Sequence, residues 1–135
     1  MRGVTNEACW AEAQKFLVGG VNSPVRSFRK VGGRPFFVDR GQGPYLWDVE
    51  GKRYLDYVGS WGALILGHRP PAVMQAVQQA LRRGTTFGTP TPWETALARM
   101  IGRAMPSIEQ IRFVSSGTEA VTSAVRLARA ATGRR

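Results

Sequence analysis

Apolar residues recur at helical spacing from about Asn6 to Val18, where Cys9, Ala13, Phe16 and Leu17 share one face and Gly19-Gly20 ends the run. The period is then lost. Val21-Asn22-Ser23-Pro24-Val25-Arg26 reads as a loop, with Pro24 biasing Ser23 toward extended backbone. Phe36-Phe37-Val38-Asp39, Tyr45-Leu46-Trp47-Asp48-Val49 and Arg53-Tyr54-Leu55-Asp56-Tyr57-Val58 follow as short strand-forming runs. Turn signals at Gly41-Gln42-Gly43-Pro44 and Glu50-Gly51 separate them. An antiparallel meander packed against the first helix is the economical reading.

Beyond Gly67-His68-Arg69-Pro70 the helical period returns. Pro71 opens a helix with apolar Val73, Ala76, Val77, Ala80 and Leu81, basic Arg82 and Arg83 in its last turn, and Gly84 beyond. After the loop Thr85-Thr86-Phe87-Gly88-Thr89-Pro90, Thr91 and Glu94 have the spacing of a capping box. Pro92 falls in the first turn, Leu97, Met100, Ile101 and Ala104 form the apolar face, and Pro106 lies past the end. Ile111 to Val114 suits a buried strand, and Ala120, Val121, Ala124, Val125, Leu127 and Ala128 describe a last helix.

This alternation predicts an α/β architecture with a mostly parallel sheet in the second half, so the chain divides into an amino-terminal segment, 1–67, and the start of a larger α/β domain, 68–135. A single strand cannot form a sheet. The final helix would then expose its apolar stripe, and the natural domain is expected to continue beyond Arg135 or to receive its missing strands from another chain.

Hydrophobic residues make up 43% of the 135 and charged ones 21%, the profile of a folded globular chain. The formal net charge of +10 raises nucleic-acid binding, but only Lys15, Lys30 and Lys52 are lysines and the arginines are scattered, adjacent only at Arg82-Arg83 and Arg134-Arg135. A solvated basic surface is expected instead, with no nucleic-acid partner. Cys9 is the sole cysteine, which excludes an intrachain disulfide and a cysteine-built zinc site and fits a reducing cytoplasm. No membrane segment, secretory signal or transit peptide is evident, Gly62-Ala63-Leu64-Ile65-Leu66 being far too short to span.

The candidate chemistry centres on Phe113-Val114-Ser115-Ser116-Gly117-Thr118-Glu119-Ala120, where a strand-like run turns into a helix. The first N–H groups of a helix lack intrahelical partners and lie at its positive end, so a phosphate is favoured there; Gly117 permits close approach, and Ser116 and Thr118 offer hydroxyls. Ser116 and Glu119 also fit an ordinary capping box that needs no ligand. Arg26 could fork onto a carboxylate or simply face solvent, and Trp61 could wall a pocket or fill a core. His68, a lone histidine, reads as structural.

Taken together, several stretches resemble one family, glutamate-1-semialdehyde 2,1-aminomutase, a class III aminotransferase of pyridoxal-phosphate fold type I. They are Gly19-Gly20-Val21-Asn22-Ser23-Pro24-Val25-Arg26, Tyr57-Val58-Gly59-Ser60-Trp61-Gly62, Leu64-Ile65-Leu66-Gly67-His68 and Ser116-Gly117-Thr118-Glu119-Ala120, in matching order and spacing. Ser115 stands where asparagine is usual, Pro70 where a second histidine is usual, and Thr89 where alanine is common.

The resemblance implies an incomplete fold type I: amino-terminal helix, antiparallel meander, then the opening of the cofactor-binding domain. Gly117 and Thr118 would bind the phosphate of pyridoxal or pyridoxamine 5'-phosphate, with Ser116 shaping that turn. Arg26 would hold the carboxylate of glutamate 1-semialdehyde, Ser23 and Trp61 would line its pocket, and the complete enzyme would be a homodimer making 5-aminolevulinate for tetrapyrrole synthesis. Lys15, Lys30 and Lys52 match no catalytic position, so the Schiff-base lysine is expected beyond Arg135 and this stretch alone is expected to be inactive. The alternatives are a different class III aminotransferase, or a non-catalytic remnant that binds a partner or a phosphate ligand.

Overall fold

The structure, a computed structural model, describes residues 3–134. Arg135, second of the expected basic pair, lies outside them. The chain forms two compact units, Met1–Thr85 and Thr86–Arg135.

In the first unit, helix α1 spans Asn6–Phe16, capped where the Thr5 hydroxyl accepts from the Ala8 N–H at 3.1 Å. It ends before the expected Val18 because Leu17 is already extended, and a 3₁₀ turn over Val18–Gly20 follows. Gly20 is buried at φ 73° against Trp10, where a Cβ would lie 2.7 Å from the indole. Only glycine fits there.

The meander forms as the sequence predicts, antiparallel in the order β1-β2-β3, with β1 at Val38–Gln42, β2 at Tyr45–Asp48 and β3 at Arg53–Leu55. Its limits differ from the strand-forming runs. Phe36 precedes β1 and stacks on Tyr54 at 4.4 Å, while Gly41 and Gln42, read as turn, belong to β1. β3 stops at Leu55 because the Asp56 carboxylate accepts from the Val58 and Gly59 N–H groups at 2.9 and 3.0 Å, turning the chain. Contact with α1 is made by the polar side chain of Asn6: its Oδ1 accepts from the Phe37 N–H at 2.7 Å and its Nδ2 donates to Asp48 and Glu50, each at 3.1 Å. Helix α2, Pro71–Leu81, completes this unit.

In the second unit, α3 spans Pro92–Ala104 and α4 spans Gly117–Thr132. The Thr91 N–H donates to Glu94 at 3.3 Å, and Gly133 ends α4 at φ 64°. Residues 111–114 form no strand, which corrects the sequence reading: a ladder needs a partner, and no other strand of this unit is present among the described residues. The stripe of α4 is exposed as expected, with Val121 64% and Leu127 71% accessible, and no large apolar side chain is buried among the described residues.

Candidate functional site

The turn entering α4 holds Ser116, Gly117 and Thr118 together. Ser116 is the N-cap, its hydroxyl accepting from the Glu119 N–H at 3.2 Å and donating to Glu119 Oε2 at 3.0 Å; the same carboxylate oxygen accepts from the Ser115 N–H at 3.0 Å. The hydroxyl cap is therefore made, while Glu119 reaches back to the N–H of Ser115, one residue before the N-cap, so the reciprocal bond of a full capping box is replaced by one to its neighbour. Gly117 and Thr118 occupy the first two helical positions, where no intrahelical acceptor exists, and neither their N–H groups nor the Thr118 hydroxyl has a partner among the described residues. A Cβ at Gly117 would meet nothing within 4 Å. The turn thus presents unpaired donors beside open space. Thr118 also lines a hollow of about 250 Å³ shared with Arg112, Glu119 and Arg126, two cations to one carboxylate.

Ser23 and Arg26 are brought together in the first unit by a 3₁₀ turn over Pro24–Ser27, the Arg26 N–H donating to the Ser23 carbonyl at 3.0 Å. Ser27, nearly buried, ties the turn by donating its hydroxyl to the Pro24 carbonyl at 2.8 Å. The Arg26 guanidinium is exposed and makes no ion pair among the described residues. It is available to an incoming anion. Beside this turn lies an apolar hollow of about 440 Å³ walled by Val18, Val21, Pro24, Val25, Phe28 and Val31.

Trp61 sits in a turn whose backbone is left-handed at Gly59, Ser60, Trp61 and Gly62, with φ of 51°, 51°, 61° and 91°. For Ser60 and Trp61 that conformation costs roughly 1–2 kcal/mol each. The indole is 70% exposed. Ser23, Arg26 and Trp61 belong to one unit, and Ser116, Gly117 and Thr118 to the other.

His68 is structural, as a lone histidine suggests, and its partner is Asp56: Nε2 and Oδ2 lie 2.7 Å apart with the side chains 18% and 7% exposed. The Asp56 carboxyl is held below its usual 3.8, first by the Gly59 N–H and then by His68. Asp48, the other shielded carboxylate, accepts from the Glu50 and Lys52 N–H groups, Asn6 and the Tyr54 hydroxyl. Burial raises its pKa, but the bonds from Tyr54, Lys52, Asn6 and Glu50 outweigh burial and lower it. Neither aspartate stood out in the sequence, because their partners come from separate turns.

Residues 28–135 match the family model described as Aminotransferase class-III. The chain belongs to that family. Among class-III relatives, it is 62% identical over 130 residues to the glutamate-1-semialdehyde 2,1-aminomutase of Chloroflexus aurantiacus, covering 96% of this chain and 29% of the relative. The enzyme of that name from Herminiimonas arsenicoxydans is 59% identical, with 96% and 30% covered. The chain spans about 30% of the length of the curated relatives it matches.

Solved structures agree on the fold. An omega-transaminase from Sphaerobacter thermophilus superposes with a TM-score of 0.87 at 38% identity, covering 98% of this chain and 30% of that one. A glutamate-1-semialdehyde aminomutase from Pseudomonas aeruginosa gives 0.85 at 25%, covering 96% and 28%. The helix, meander and following helices are part of the α/β fold of class-III enzymes. No helix among the described residues is long and apolar enough to cross a membrane.

Proposed function

We propose that the chain is the amino-terminal part of a glutamate-1-semialdehyde 2,1-aminomutase, a cytoplasmic homodimer that moves an amino group within one carbon skeleton to give 5-aminolevulinate. The geometric observation that carries this reading is the turn at Gly117 and Thr118, whose donors are free while Ser116 and Glu119 satisfy the cap. The choice of substrate rests on the 62% and 59% identity to proteins bearing that name.

Pyridoxal or pyridoxamine 5'-phosphate fits this turn: unpaired N–H groups at a helix N-terminus, a hydroxyl, and open space where a Cβ is missing suit its phosphate. The cofactor, when bound, carries the amino group and supplies the electron sink for its transfer. The chain's own residues orient and bind. Gly117 and Thr118 would donate to the phosphate oxygens, while Ser116 directs its hydroxyl to Glu119 and leaves those donors free. Arg26, exposed and without an ion-pair partner among the described residues, would fork onto the substrate carboxylate, and Ser23 and Trp61 would line the substrate's pocket. Lys15, Lys30 and Lys52 match no catalytic position of the family, so the lysine that would anchor the cofactor is expected in the part of the relatives outside this chain's span.

A second reading is a class-III transaminase of another substrate, favoured by the 38% identity to the omega-transaminase against 25% to the aminomutase structure. The natural polypeptide carrying this sequence, given the semialdehyde and cofactor without external amine or keto acid, is expected to form 5-aminolevulinate. Turnover only with an external acceptor would assign the second reading.

A further inference from the structure

The segment that carries Trp61 leaves the sheet at Asp56 and returns to it at His68, and those two residues close it. Asp56 spends one carboxylate oxygen on the Val58 and Gly59 N–H groups and the other on the His68 ring, at 2.7 Å. His68 is pinned independently, through paired backbone bonds with Gly43 at 2.8 and 2.9 Å. Its ring lies over Gly41, where a Cβ would come within 2.6 Å of Cγ. The Asp56 N–H in turn donates to the Pro44 carbonyl at 2.8 Å, so both ends of the segment are tied to the β1–β2 turn.

Inside this closure the backbone runs left-handed through Gly59, Ser60, Trp61 and Gly62, a conformation that serine and tryptophan adopt only when their surroundings impose it. Within the turn the Gly62 N–H donates to the Gly59 carbonyl at 3.1 Å. The Trp61 N–H donates to the Val58 carbonyl and the Leu64 N–H to the Gly59 carbonyl, each at 3.0 Å, while the Val58 and Gly59 N–H groups are the ones Asp56 holds. Trp61 is mostly exposed, so packing contributes little to its placement, and the backbone beneath it sets the direction of its Cα–Cβ bond.

We propose that Asp56 and His68 are positioning residues for Trp61, a carboxylate–imidazole clasp that holds the strained turn and thereby aims the indole. Its use in catalysis rests on the reading of Trp61 as a wall of the substrate pocket. His68 acts through Asp56, and Asp56 through the Val58 and Gly59 N–H groups at the start of the left-handed turn. Gly41 serves the same clasp by leaving room for the imidazole.

The test labels the natural polypeptide carrying this sequence with 5-fluorotryptophan and follows the fluorine resonances of Trp10, Trp47 and Trp61, each assigned by its Trp→Phe variant. His68→Ala, and independently Gly41→Ala, which expels the ring without changing either clasp residue, are expected to move or broaden the Trp61 line while Trp10 and Trp47 keep theirs. Asp56→Asn, whose amide still offers an acceptor to both N–H groups and a donor to the imidazole, is expected to preserve the Trp61 line where Asp56→Ala loses it. An unchanged Trp61 line in His68→Ala and Gly41→Ala overturns the clasp. Equal displacement of Trp10 and Trp47 overturns it too, since the effect would then be general loosening. The pocket reading is judged separately, by the KM of Trp61→Phe in the natural polypeptide; an unchanged KM removes that reading and leaves the clasp standing.

Discussion

Asn6 and Asp48, 42 residues apart in the chain, meet side chain to side chain at 3.1 Å and join the first turn of α1 to the end of β2. The same asparagine accepts from the Phe37 N–H, so one side chain fixes the helix against two segments of the meander. Asn6→Ala leaves that N–H unpaired. The expected cost is about 1 kcal/mol, or about fivefold faster hydrogen exchange at the Phe37 amide, with α2 amides unaffected. Unchanged exchange at Phe37 would show that the helix is held by other means.

Acid should weaken the first unit through Asp48 and Asp56. Both ionise below the usual 3.8 in the folded chain, so as pH falls the unfolded chain takes up protons first. Their contribution is complete above about pH 5 and is lost as pH falls through the lowered values. Carboxyl-carbon NMR titration is expected to place both midpoints under 3.8. Tyr54 behaves oppositely: burial first, then its bond to Asp48, raises its phenol above 10.0. That contribution is present below pH 10.0 and disappears as pH rises through the raised value.

Two glycines separate backbone strain from steric exclusion. Gly20→Ala meets both a left-handed φ of 73° and the Trp10 ring at 2.7 Å, and should destabilise by about 2–3 kcal/mol. Gly32→Ala, at φ 78° with nothing within 4 Å, should lose only the conformational part, about 1 kcal/mol. Denaturant unfolding followed by tryptophan fluorescence makes the comparison.

At the head of α4, Ser116→Ala removes the cap and should cost about 1 kcal/mol, seen as faster exchange in its first turn. Gly117→Ala is the sharper variant. Its Cβ meets nothing and its φ is not left-handed, so the helix should be undisturbed. In the natural polypeptide the same change is expected to weaken pyridoxal-phosphate binding at least about tenfold, or ~1.4 kcal/mol. Binding equal to the parent would return this turn to a plain capping box.

The helices were legible because their signals are local. Pro71, the Thr91–Glu94 spacing and the Ser116–Glu119 spacing each act within one turn of chain, and the structure places the helix starts there. Strand limits were not, since β3 ends where Asp56 turns the chain and Ile111–Val114 needs a partner strand to become one. Of the candidate site, the Ser116–Glu119 cap was readable, and it forms with the Gly117 and Thr118 N–H groups left without partners among the described residues; a phosphate at that turn is the reading proposed above. The left-handed backbone at Ser60 and Trp61 was hidden, because nothing in either residue type announces it; it lies in a turn closed by backbone bonds to Val58 and Gly59, whose N–H groups Asp56 accepts.

The meander has two open rims, and both are poor templates for another strand. β1 is kinked by an irregularity between Val38 and Arg40 and carries Asp39 and Arg40; β3 is three residues long and begins with Arg53. Arg40 lies over the Trp47 ring at 4.5 Å and Arg53 over Tyr45 at 4.7 Å, so the aromatic face is roofed by like charges that repel a second such sheet. Charge, brevity and a kink at the rims oppose stacking of copies edge to edge into fibrils, and among the described residues the meander has three strands while the apolar stripe of α4 is exposed.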